Sequence, residues 1–419
     1  MRFRSAHATH PDWSTATEEC LLLLSRFAGD ERYGRQPNLG FLYLTEPLAP
    51  HTEQILTLLK SRTGIPNWVG TTGVGIAATG TEYTDEPAIA VMLGQFAAGS
   101  FNVFSGTQRS PTLGTRTDSG AEAAFTALVH ADPETPDLGE LIIDMAHKVA
   151  SGYLFGGLSS GRAGTHQIAD RVLSGGLSGV VFASDVPLVS RVTQGVHPLA
   201  QATRHTITRS TANFIVELDR RPAFEVLLED TGIRPRLAAG SPDATRAAPP
   251  NEDFIKVREQ LQSLGRRGLF VGLEPAAEGA YRERRRADRL RPDYVVRPVV
   301  ALDPAKGVVA IGAPVEDGQA LSFCTRDEAA ARKDLIRICA EIRDHLHEVE
   351  ESSGTPVHTK GAVYVSCVGR GSHLFGEQHE ELRVIQQQLG DVPLVGFYGS
   401  GEIGAQNLYG FTGVLTVFY

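Results

Sequence analysis

Several things are scarce in this chain, and each scarcity removes a class of protein. Only four cysteines occur in 419 residues, Cys20, Cys324, Cys339 and Cys367. They lie far apart with no CxxC pair, which excludes a zinc knuckle or disulfide scaffold and reads as reduced thiols. No run approaches the ~20 uninterrupted apolar residues that a membrane helix needs. The opening stretch, MRFRSAHATHPDWSTATEEC, has arginines but neither the continuous apolar segment nor the small-residue cleavage pattern of a secretory signal. A soluble, cytoplasmic protein with no membrane partner is the expectation. Excess positive charge is missing too: the net charge is -9 and the pI near 5.8. Nucleic acid is therefore not expected as a partner, since phosphate binding draws on Lys and Arg. One basic run, RERRRADRLR at 282–291, carries no interleaved aromatics and reads as a solvated helix face or loop. Catalytic signatures are also lacking: there is no GxSxG elbow, HExxH, kinase set or CxxCH attachment motif. No enzyme is expected, and any haem would be held noncovalently.

What is present is internal repetition in a chain longer than one typical domain. Residues 39–93 read as strand LGFLYL, a helix ending at Gly64, short strand IPNWVG, a glycine turn and strand AIAVML. Residues 361–418 follow the same order: GAVYVSC, the helix EQHEELRVIQQQLG, VPLVG, a glycine turn, and GVLTVF. The turns GTTGVG (70–75) and GFYGSG (396–401) share glycines at three relative positions, and Pro66 and Pro393 precede them. A partial echo lies mid-chain, where LGELIIDMAHKVAS leads to YLFGGLSSG and GGLSGVVFAS. Between these units, HTITRSTANFIVELD and residues 294–323, with their DPAKG and EDG turns, read as antiparallel hairpins. The Gly-, Pro- and Ala-rich stretch 238–253 marks a boundary. The expected fold class is α/β (α+β), two related halves with mixed, largely antiparallel sheets flanked by helices. The expected divisions are an extension over 1–29, one domain over 30–235 and another over 254–419.

Two glycine turns carry the candidate ligand site. In SCVGRGSHLFG, Gly369 and Gly371 let backbone N–H groups approach an anion while Arg370 supplies charge. The pattern is neither GxGxxG nor a P-loop, so it defines no nucleotide site. In GFYGSGEIG, Tyr398, Ser400 and Glu402 stand beside the flexible backbone of Gly399 and Gly401, suited to bonding both ends of a small polar ligand. Cys367 ends its strand just before the arginine turn; a nucleophilic role would need a base such as His373 or His379 brought back by the fold. His147, His166, His197 and His205 are single histidines without the spacing that marks a metal site, and the expected metal content is none.

The stretch GFLYLTEPLAPHTEQILTLLKSRTGIPNWVGTTGVGI resembles the start of the FIST N-terminal domain. YLFGGLSSGR, GGLSGVVF, HPLAQATRHTITRSTANFIVELDRRPAFEVL, FCTRDEAAARKDL, VSCVGRGSHLFG and PLVGFYGSGEIG resemble the rest of it and the FIST C-terminal domain. The resemblance spans roughly residues 30–418. It implies a sensory module for a small ligand, an amino acid or related compound. With no kinase, cyclase or F-box region in the chain, it also implies output through a separate signalling partner. Cys367, Gly369, Arg370, Gly371, Gly399, Gly401 and Glu402 are its candidate binding positions. One branch of the family is associated with haem and nitric-oxide sensing, which makes haem the alternative cofactor. Pro298 stands where family members commonly have asparagine, so no polar contact is inferred from that strand.

Overall fold

A computed structural model describes residues 1–25, 36–106, 114–117, 120–162, 164–199, 201–232, 268–274 and 295–419. The stretch 238–253 and the basic run at 282–291 lie outside the described residues. The chain forms two compact units, Met1–Gln194 with Ala331–Tyr419, and Gly195–Ala330. These units do not follow the linear division into 30–235 and 254–419, because the second is inserted within the first.

The first unit consists of three copies of one plan. In the first copy, strand Leu39–Thr45 leads through helix Thr52–Thr63 to strand Asn67–Gly73. In the second, Thr126–Ala131 leads through helix Leu138–His147 to Tyr153–Leu158; in the third, Gly361–Cys367 leads through helix Glu380–Leu389 to Leu394–Gly399. A helical crossover returns the chain to the same end of the sheet, so each such pair is parallel. The closing strands Ala88–Gln95, Leu177–Phe182 and Gly413–Phe418 then add antiparallel to the first member of each pair. An edge strand completes that side: Arg2–Thr9, Phe101–Gly106 and Leu188–Thr193. The mid-chain echo is thus a full copy in its own right. The second compact unit enters the third copy between its edge strand and the helix Glu328–Ser353.

The copies are tied together by exchange. After its second parallel strand, each copy sends a short strand into another copy's sheet: Gly75–Ala78 pairs with Leu394–Gly399, Gln167–Ala169 with Asn67–Gly73, and Gly401–Ala405 with Tyr153–Leu158. Each six-stranded sheet therefore contains one parallel pair and otherwise antiparallel neighbours, the mixed and largely antiparallel character expected.

Glycine is required where the parallel strands approach most closely. A Cβ at Gly70, Gly156 or Gly396 would fall 1.7, 1.9 or 1.7 Å from the carbonyl oxygen of Leu42, Val129 or Tyr364. Any side chain there would force the pair apart. The next shared turn position is Gly73 and Gly399 but Ser159 in the second copy, which is why the middle echo reads as partial.

One face of all three sheets meets in a common core that includes Phe41, Tyr43, Leu128, Phe155, Val365 and Phe397. The opposite faces are covered by helices, giving three further apolar clusters. Helix Thr52–Thr63 ends as expected at Gly64, left-handed with φ 70°, its N–H bonded to Lys60 O at 2.9 Å. The second unit is an antiparallel sheet with helix Ala223–Thr231 over its own core. Its hairpins include His205–Thr211 with Phe214–Leu218 and Val295–Asp303 with Val308–Ile311, near where the sequence places them.

Candidate functional site

The three sheets match residue for residue at one level. Across the first runs Gln167, Thr71, Tyr43 and Ala90; across the second, Glu402, Gly157, His130 and Ser178; across the third, Ile76, Phe397, Val365 and Val414. Neighbours in such a row share a face. The exchanged strands therefore carry an amide, a carboxyl and a methyl-rich side chain at equivalent points. Glu402 and Gln167 are both fully enclosed, and each keeps one side-chain oxygen, Oε1, without a hydrogen-bond partner.

The Glu402 position adjoins the arginine turn. Cys367 ends its strand, Arg370 N–H closes the turn on Cys367 O at 2.9 Å, and Gly371 at φ 54° starts the short helix Ser372–Phe375. This turn points the guanidinium inward. Arg370 is 1% exposed, its Nε donates to Glu381 Oε1 at 2.7 Å, and its charge lies 5.3 Å from the centroid of the Phe375 ring. Glu381 also accepts from Tyr364 Oη at 2.6 Å, from Ser366 Oγ at 3.2 and 3.1 Å, and from Gly371 N–H at 3.0 Å. Burial works against the Arg370 charge, but attraction to Glu381 overrides it and carries its pKa above the ordinary value. Both Nη nitrogens have no partner among the described residues. Buried donors of this kind are rarely left unmade.

Glu402 is placed differently. Its Oε2 accepts from Thr412 N–H at 3.0 Å and Thr412 Oγ1 at 2.7 Å. Burial pushes its carboxyl up to about 8, against the Thr412 hydrogen bonds, the Arg370 charge and a hydrogen bond with Cys367. Burial, with the Glu402 charge second, pushes the Cys367 thiol up to about 12. That is the opposite of an activated nucleophile. His379 supplies no base to it: its Nδ1 accepts from Glu82 N–H at 3.0 Å.

The other expected site residues each have a partner within the protein. Tyr398 Oη donates to Glu82 Oε2, and His379 N–H donates to Glu82 Oε1 at 3.2 Å. Ser400 Oγ donates to Ser159 O at 2.9 Å, and Gly399 O accepts from Val368 N–H at 2.9 Å. Gly401 pairs with Leu158 across the exchanged strand. Gly371 spends its N–H on Glu381, and Gly369 N–H hydrogen-bonds the Cys367 thiol.

Sequence reasoning missed Glu381, Glu82 and Tyr364. For Glu381 a signal existed: it stands on the same helix face as Val384 and Ile385, and an acid on an apolar stripe asks for a buried partner. Glu82, in the short strand TEYT, had no such signal.

His147 is exposed; His197 bonds Pro198 O and Asp327, and His205 bridges Asp219 at 2.7 Å and Asp230 at 3.0 Å. His166 is half-buried with its Nδ1 enclosed, and His130 packs against the mutually stacked Tyr43 and Phe397 rings. Among the described residues no group of three His, Cys, Asp or Glu could hold a metal ion, and no helix is long and apolar enough to cross a membrane.

Fold and site define a triplicated α+β protein with an inserted sheet unit and unsaturated polar groups enclosed where its copies exchange strands. The FIST N domain model matches residues 38–221 and the FIST C domain model residues 252–405, so the chain belongs to the FIST family. FIST domains are generally considered sensory domains in signal transduction. An uncharacterized protein of Mycobacterium tuberculosis strain H37Rv is 28% identical over the whole of both chains. An uncharacterized protein of Mycobacterium bovis is also 28% identical, over all of this chain and 99% of its own.

Proposed function

We propose that this protein senses a small polar ligand bearing a carboxylate, such as an amino acid, and passes occupancy to a separate protein partner. The observation that carries this reading is the Arg370 guanidinium, 1% exposed yet with both Nη nitrogens unpartnered. That free edge is a planar fork matched to a carboxylate. The Arg370–Glu381 pair is neutral overall, and Glu402, pushed up to about 8, is mainly protonated at neutral pH. A ligand carboxylate thus meets a donor fork and a neutral carboxyl rather than an opposing charge.

Entry requires the short helix Ser372–Phe375 to move. It is flanked by Gly371 at φ 54° and Gly376 at φ 78°, backbone states that favour glycine and suit hinge positions. Occupancy would signal by favouring one arrangement of this segment over another.

Thermal shift of the full chain with a panel of amino acids, and their amine and carboxylate analogues, tests the reading. A ligand at about one hundred times its Kd adds about 2.7 kcal/mol, a rise of several degrees. The rise is expected with the carboxylate-bearing members and is lost in Arg370→Lys, which keeps the charge but not the fork. Stabilisation that survives Arg370→Lys, or that follows the amine alone, overturns the assignment.

A further inference from the structure

Two rows of polar side chains meet inside the common core of the sheets. In the first sheet Gln167 lies opposite Thr71, and Thr71 is level with Tyr43; in the second, Ser178 lies opposite His130. Tyr43 and the residues two positions from the others, Val69, Leu128 and Val180, belong to the common core, whereas Ile168 belongs to a helix-side cluster. By strand alternation all five side chains therefore point to the core face. The rows are joined at both ends. Tyr43 Oη lies 3.1 Å from His130 Nε2, and Gln167 Nε2 donates to the carbonyl of Gly176, two residues before Ser178, at 3.2 Å. All five side chains are fully buried. Val365 and Phe397 fill the space over Gly157, the residue between His130 and Glu402 in the second row.

Three polar atoms of this ring have no partner among the described residues: His130 Nδ1, Gln167 Oε1 and Ser178 Oγ. Buried groups of this kind are rarely left unmade. What each can do is fixed by its neighbours. Burial pushes the Tyr43 hydroxyl up, so it keeps its proton, and His130 Nε2 is placed to accept it. Burial also draws His130 down to about 3, so the ring is neutral and its single proton sits on Nδ1, a donor. The Gly176 carbonyl takes the Gln167 amide nitrogen, which leaves Oε1, an acceptor. Ser178 can do either. Thr71 adds no demand, because its Oγ1 is bonded to Ser159 Oγ at 2.6 Å and to His166 O at 3.0 Å. A cation at this point would meet the His130 N–H, and an anion would meet the Gln167 oxygen. One donor, one acceptor and one hydroxyl are matched by an uncharged molecule that both accepts and donates.

We infer that His130, Gln167 and Ser178 form an internal site for one water molecule, which accepts from His130 Nδ1–H, donates to Gln167 Oε1 and bonds Ser178 Oγ. Buried waters typically make about three bonds of this kind to groups otherwise unmet. The water completes an uncharged hydrogen-bond chain from Tyr43 through His130 to Gln167. It thereby links the second sheet to the exchanged strand Gln167–Ala169 of the first. The site is separate from the Arg370 fork and takes no charged ligand.

A high-resolution crystal structure of the full chain, grown and frozen without glycerol or other small alcohols, tests this, with nitrogen-15 spectra of histidine-labelled protein alongside. One spherical density peak is expected within roughly 2.7–3.2 Å of all three atoms. The His130 ring should carry its proton on Nδ1, with a cross-peak from that proton to water. Gln167→Met, which removes the acceptor, should abolish the peak, while Arg370→Lys leaves it in place, so failure here is distinct from failure of the carboxylate fork. Should Gln167→Met not fold, the unsubstituted chain still decides. Absence of the peak, a direct bond between any two of the three heads, or density for a molecule of several heavy atoms overturns the inference. So does a His130 proton on Nε2, or a peak that persists unchanged in Gln167→Met.

Discussion

Replacing Glu402 by glutamine is expected to stabilise the protein at neutral pH, although it alters a fully buried residue with three protein partners. The carboxyl is pushed up to about 8 by burial, from an ordinary 4.5. Between those values the folded chain keeps a proton that the unfolded chain releases, so stability is full below 4.5 and is lost as pH rises through about 8. At pH 7 the interval is about 2.5 pH units at 1.36 kcal/mol each, a cost of about 3 kcal/mol. Glutamine removes that cost. Its oxygen can keep the bonds from Thr412, and its NH2 replaces the unpartnered Oε1. Urea unfolding followed by fluorescence suits the measurement, because Trp13 and Trp68, the two tryptophans, both lie in the first compact unit. The variant should gain about 3 kcal/mol near pH 7 and almost nothing near pH 4. An equal gain at both, or a loss at pH 7, refutes the reasoning.

Glu381→Gln should have the opposite sign. It leaves the Arg370 charge enclosed without compensation, which costs about 3–5 kcal/mol in urea unfolding, while Glu381→Leu combined with Arg370→Met should recover much of that loss. Burial draws the His130 pKa down to about 3 from 6.5, so protons favour the unfolded chain as pH falls through that window. The resulting loss is about 2.7 kcal/mol by pH 4.5. His130→Gln should flatten this part of the acid limb in urea titrations on either side of pH 6; an unchanged limb contradicts the role given to His130.

The strands and helices around the glycine turns were legible because they obey local rules. LGFLYL, GAVYVSC and GVLTVF are continuous apolar runs, as strands buried on both faces require. Gly64 ends its helix through its own backbone preference. The duplication was legible from Gly70 and Gly396, since the close approach of parallel strands demands glycine wherever the plan recurs. The mid-chain copy was only half legible: Gly156 is kept, but Ser159 replaces the second shared glycine.

The grouping of the candidate residues was legible in part, and their partners much less so. Arg370, Cys367 and Glu402 do come together, yet the arginine's first partner is Glu381, eleven residues away on helix Glu380–Leu389. Glu82, from the first copy, reaches Tyr398 in the third because its hairpin belongs to another copy's sheet. Periodicity carries no record of such an exchange.

What the sequence determined by itself was therefore the local grammar: which runs are strands, where helices stop, and which turns admit only glycine. These follow from backbone sterics and from side-chain periodicity within a few residues. Only the tertiary structure decided that Arg370 is enclosed, that Glu402 holds its proton to about 8, and that Gln167 and Glu402 occupy equivalent points. Those properties depend on dielectric and on partners brought from distant segments by strand exchange, and neither is encoded within any single stretch of chain.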